Sequence, residues 1–167
     1  MFLIVGLFPL TSGRRARGVN TTSYNTAVAC FQTIPVPAIL HTPPSSDDTV
    51  LQDGTVAFLV GKLFIPPPHA HTPIAIDAVE IAPIPGDPSD SPSYRSRIPH
   101  YPVPTIIAEG TVAAANCTDH SAVLAFPLAV SDYVRSNMAP STILFVSLLS
   151  LHALGRPHAL LSQLSPL

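Results

Sequence analysis

The chain has 167 residues and a mass of 17.6 kDa, enough for one ordinary domain with an adequate core. Hydrophobic residues make up 47% and charged residues only 11%, with 20 prolines against 8 glycines, which excludes a disordered polar chain. A net charge of −2, a single lysine (Lys62) and two cysteines (Cys30, Cys117) exclude a strongly basic nucleic-acid binder, a polybasic membrane binder, a cysteine-only zinc site and a dense disulfide framework.

The chain opens on the apolar run MFLIVGLFPL, followed by Arg14, Arg15 and Arg17. A secretory signal carries its positive charge before the apolar run, and a bilayer span needs about 20 apolar residues, so neither is expected here. The expectation is a frayed N-terminus on an intracellular protein, cytoplasmic or nuclear, with no membrane contact. The triplets Asn20-Thr21-Thr22 and Asn116-Cys117-Thr118 have the form of glycosylation sites, which have no meaning without secretion. Residues 33–54 follow as a proline-rich lead-in, with Pro35, Pro37, Pro43 and Pro44 suited to extended backbone and Ser45-Ser46-Asp47-Asp48 to a solvated turn. A linker accounts for this stretch better than an SH3-type ligand, which would have a flanking basic residue. The whole of 1–54 is thus expected to be a partly disordered lead-in.

From Thr55 the pattern turns strand-like. TVAFLVGKLFI (55–65) is apolar on both faces in its first half, with Gly61 suited to a bend or bulge, and it stops at Pro66-Pro67-Pro68. IAIDAVEI (74–81) changes phase around Asp77-Ala78, the mark of a second bulge. Residues 82–104 hold seven prolines and a Gly-Asp turn, and read as a long connection without secondary structure of its own. TIIAEGTVAAA (105–115) is the third strand, and 116–121 is a polar turn. AVLAFPLAV (122–130) is the fourth strand, 131–141 a polar insert and TILFVSLL (142–149) the fifth, although 143–154 also reads as a buried helix. The tail 151–167 loses all pattern and is expected to be disordered or a gene-model artefact. Five strands, two with central glycines, predict an all-β fold: a small curled antiparallel barrel over 55–150, with a 50–150 fragment expected to fold on its own.

VAFLVGKLFIPP, AVEIAPIPGDPS, AEGTVAAAN and LAVSDYVRSNMAPSTILFV, in that order, resemble a group of uncharacterised proteins of mushroom-forming basidiomycete fungi. The resemblance covers roughly residues 55–146 and implies an OB-like barrel, without any chemistry that transfers. An OB-like barrel binds on the face of its strands 2 and 3 and on the loops joining strands 1–2 and 4–5. Those loops are expected at 66–73 and 131–141, with 82–104 lying over the face.

Several constellations bear on chemistry. His69 and His71, followed by Glu80, have the order of a cupin metal site, a cupin-like metal-dependent enzyme being one alternative. The gaps are too long for that pattern: seven residues separate Gly61 from His69 and eight separate His71 from Glu80. His100 and His120 are too remote in sequence to complete it, so no metal or cofactor is expected. Asp119-His120-Ser121 holds the residue types of a hydrolase triad, but contiguous residues cannot align as one, and Cys117 has no positioned base. No phosphate-binding glycine loop exists.

Single-stranded nucleic acid requires stacking aromatics and a positive groove. Phe58, Phe64, Phe126 and Phe145 sit in apolar runs and are read as core, while Tyr94, Tyr101 and Tyr133 lie in polar segments. Over 55–150, four Lys/Arg against seven Asp/Glu give a net charge of −3, which disfavours phosphate binding. Tyr94, Arg95, Arg97 and Tyr101 alone combine aromatics with positive charge and form the expected contact patch. The functional expectation is a non-catalytic binding module for a protein partner, engaged through proline-rich loops such as IPHYPVP (98–104). Weak single-stranded nucleic-acid binding is the second reading.

Overall fold

The computed structural model describes residues 1–15, 21–29, 34–43, 49–67, 72–100, 103–112, 123–134 and 137–148. The fold is all-β with one short helix among the described residues. The strands are β1 (Phe2–Pro9), β2 (Thr11–Arg15), β3 (Thr22–Val28), β4 (Val36–His41), β5 (Val56–Phe64), β6 (Ile74–Pro83), β7 (Thr105–Ala108), β8 (Thr111–Val112), β9 (Val123–Val134) and β10 (Asn137–Leu148). The helix α1 spans Ser91–Arg97. No described helix is long and apolar enough to cross a membrane.

Seven strands form one sheet in the order β2-β3-β4-β6-β5-β1-β7, and β10-β9-β8 form a second. Among the described residues every pairing is antiparallel except β4 with β6. The first 54 residues therefore supply four strands of the large sheet, in place of the lead-in expected there. β1 shows why the expectation failed. Its Phe2, Ile4 and Phe8 are buried on one face, while Leu3, Val5 and Leu7 are half-buried on the other. Such a strand, flanked by β5 and β7, has no polar alternation to distinguish it from any other apolar run. Each fully buried Phe or Ile contributes about 1.5–3 kcal/mol, so β1 is a principal source of stability.

Only Leu10 separates β1 from β2, yet the two occupy the sixth and first places in the sheet order. The sheet must curl for the chain to pass between them. Thr26 on β3 donates its hydroxyl to the Pro9 carbonyl at 2.7 Å, joining the second strand in the order to the end of the sixth. Leu10 itself is buried, donating its N–H to Thr55 O at 2.8 Å and accepting from Gly54 N–H at 2.9 Å.

The five strands expected over 55–150 do not close into one barrel. The first two are β5 and β6 of the large sheet. The third divides around Glu109-Gly110 into β7, in the large sheet, and β8, in the small one. The last two are β9 and β10, which extend through much of the expected insert 131–141 as a hairpin with Asn137 opposite Val134. Strand rather than helix runs over 143–148; the tail 151–167 lies outside the described residues. Polar residues are no obstacle to a hairpin whose ladder is made by the backbone. Leu128 and Val130 of β9 are buried in the same core as Phe2, Leu59, Leu63 and Ile76, and Ile65 N–H donates to the buried Ser141 hydroxyl at 3.3 Å.

Both expected irregularities of β5 and β6 coincide in one bulge. The register slips between Val60, opposite Glu80, and Gly61, opposite Ala78, leaving Val79 as the extra residue. A Cβ on Gly61 would stand 2.8 Å from Ile76 Cγ2 and 2.9 Å from Asp77 O, so the partner strand approaches too closely for a side chain. Curling is concentrated where the bulge permits it.

Candidate interaction face

The expected contact patch is divided by the fold. Tyr94, Arg95 and Arg97 lie on α1, within a segment expected to have no secondary structure; two turns of helix are too few to show periodicity. Tyr94 is 4% exposed, which removes its ring from any contact surface. Its hydroxyl accepts the Val56 N–H at 2.8 Å and lies 3.4 Å from the Val56 and Ile84 carbonyls, so it fastens α1 to the start of β5. A lone tyrosine between arginines looks exposed in sequence; only the tertiary fold reveals the plug.

Arg95 and Arg97 are exposed, but two positions along a helix place them about 200° apart. Arg97 lies over the Pro85-Gly86-Asp87-Pro88 turn. There Gly86 has φ +130°, and a Cβ would sit 3.0 Å from Tyr94 Cδ2 and 3.4 Å from Arg97 Nη1. The Ser89 N–H and hydroxyl donate to Asp87 Oδ1 at 2.9 and 2.7 Å, and these bonds hold the Asp87 carboxyl below its ordinary value. Tyr101 lies outside the described residues.

His69 and His71, like Cys117, Asp119, His120 and Ser121, also lie outside the described residues. Glu80 is exposed beside the bulge and His100 is exposed after α1. Among the described residues no three His, Cys, Asp or Glu side chains converge.

The feature that sequence reading missed is the outer face of the large sheet. Phe58, expected in the core, is 37% exposed, and Phe64 is half-buried on the same face. Cross-strand pairs Leu7–Phe58, Val5–Val60 and Leu3–Ile107 carry an apolar zone over β5, β1 and β7, with Ile107 46% and the bulged Val79 62% exposed. A signal existed. Lys62 shares its parity with Phe58, Val60 and Phe64, and a lysine on a strand marks the solvent side.

Beyond Lys62 the outer face becomes polar. The register sets Lys62 opposite Asp77, Asp77 opposite His41, His41 opposite Ser23 and Ser23 opposite Arg14. Outward positions on β3 and β4 are Ser23, Asn25, Ala27, Pro37, Ile39 and His41, without a phenylalanine or tyrosine. Neither a family model nor a curated protein matches the chain.

Proposed function

We propose that this chain is a protein-binding module built on an OB-like barrel, with the apolar zone of the outer face as its contact surface. Strand order supports the OB-like reading. Counting β1 and β2 as one strand bent at Leu10, the large sheet without β7 runs 1-2-3-5-4-1, with strands 3 and 5 (β4 and β6) parallel. These five strands differ from the five expected in sequence, and on this count 66–73 is the 4–5 loop.

The observation that carries the partner class is the exposure of Phe58, Val79 and Ile107 on one face of a chain with few charges. Exposed aromatic and branched side chains on a sheet supply the apolar centre of a protein contact. Nucleic acid is the weaker reading, because the β3–β4 face has no aromatic platform other than the His41 ring and the chain has a net charge of −2. The favoured partner is accordingly an apolar protein segment laid across β5 and β1.

A photo-crosslinking residue at position 58 of the full chain is expected to capture a discrete protein that the same residue at exposed Ser93 does not, and Val79→Asp is expected to abolish capture. Equal capture from both positions would sink the reading. A labelled single-stranded oligonucleotide is expected to remain unbound at low salt; tight binding that weakens steeply with salt would move nucleic acid ahead.

A further inference from the structure

We propose that Ser23, His41 and Asp77 act as nucleophile, general base and positioning acid in acyl transfer from an activated ester, a reactivity additional to protein binding and independent of it. The three residues are consecutive in one cross-strand row, on β3, β4 and β6. Directly paired residues share a face, and Tyr24, Leu40 and Ile76, their chain neighbours, are buried in the core, so all three side chains face outward.

Hydroxyl, imidazole and carboxylate must converge from separate elements, which the contiguous Asp119-His120-Ser121 cannot do and three neighbouring strands can. Adjacent strands lie about 4.8 Å apart, so two intervals, roughly 9.6 Å, separate Ser23 from Asp77 across β4. The register thus sets His41 between the other two, the order in which one ring nitrogen meets the hydroxyl and the other the carboxylate. All three residues are half-buried, and Asp77 Oδ1 is buried, which shields the carboxylate that orients the ring. In this structure the Ser23 hydroxyl donates to the Arg14 carbonyl at 3.3 Å, a long bond that rotation about χ1 exchanges for His41. Arg14, exposed and next in the row, carries a long cationic side chain from the position opposite Ser23, within reach of the oxygen that becomes negative.

In the reaction, Ser23 Oγ bonds to the acyl carbon while its proton passes to His41. The ester C–O bond then breaks and the alkoxide leaves with that proton. Water, deprotonated by His41, attacks the acyl-serine and releases the carboxylic acid and the free hydroxyl.

The test uses the full chain with a fluorescent fluorophosphonate, which an activated serine attacks with loss of fluoride, and with p-nitrophenyl acetate. The expected result is one label per chain, mapped to Ser23 by peptide mass spectrometry and absent from Ser23→Ala. His41→Gln is expected to slow labelling by about 100-fold or more, and Asp77→Asn to slow it and displace the rising limb of its pH profile. Far-UV circular dichroism checks that each variant is folded. Absence of label at Ser23 in the unaltered chain overturns the proposal whatever the variants do. An unchanged rate in folded His41→Gln overturns it equally.

Discussion

Tyr94 is the residue on which the position of α1 depends. Its hydroxyl accepts a backbone N–H at the mouth of β5, so Tyr94→Phe leaves a buried donor unsatisfied at a cost of about 1–3 kcal/mol. Tyr94→Ala is expected to cost more, about 3–5 kcal/mol, because the ring also leaves a cavity. Urea denaturation of the two variants measures both; a Tyr94→Phe variant as stable as the unaltered chain would show that the hydroxyl contributes nothing, and equal losses that the ring contributes nothing beyond it. Asp87 gives the same region a pH dependence. Its carboxyl is depressed below the ordinary aspartate value by the two Ser89 bonds, so its contribution is present above the unfolded-state value and disappears as pH falls through the folded value. Thermal melts below about pH 5 are expected to lose stability more steeply in the unaltered chain than in Asp87→Asn, which has no carboxyl to protonate.

At the scale of the element, the β5–β6 bulge contains two adjacent positions with opposite tolerance. Gly61→Ala pushes a methyl into Ile76 and the Asp77 carbonyl and is expected to cost about 1–3 kcal/mol. Val79→Lys, on the exposed extra residue, is expected to stay within about 0.5 kcal/mol of the unaltered chain. Chemical denaturation of both variants checks the contrast. This bulge was legible in the sequence because a phase change in β-alternation needs no partner strand to be seen. The outer face was half legible: Lys62 marked its parity, but Phe58 and Phe64 on either side of the lysine read as core. β1 was not legible. Its partners are Val56–Lys62 and Thr105–Ala108, far along the chain, and a run apolar on both faces gives no sign of which sheet receives it. Helix α1 escaped for the reverse reason, being too short for a period and rich in proline at its approach.

For the whole molecule, the large sheet takes four of its seven strands from the first 54 residues, so a 50–150 fragment is not expected to fold alone. It would lack Phe2, Ile4, Phe8, Leu10, Tyr24, Val28 and Leu40, the larger part of the fully buried side chains. Far-UV circular dichroism with thermal melting is expected to show a cooperative β-transition for the full chain and none for the fragment. A cooperative fragment would mean that β5 to β10 fold without β1 to β4. The burial of Phe2, Ile4 and Leu40 in one core with Leu59 and Leu128 argues against it.

The place of β1 between β5 and β7 also governs how the molecule comes into being on the ribosome. Synthesis at about 5–20 residues per second puts several seconds between β1 and Val56, the start of its first partner strand, and nearly as long again before Thr105 emerges. During that interval a strand apolar on both faces has two unsatisfied edges. Its nascent form is a template for the wrong neighbour, another copy of itself included. Slowing translation after residue 54 should therefore reduce soluble yield, and a holdase that covers the first ten residues should restore it.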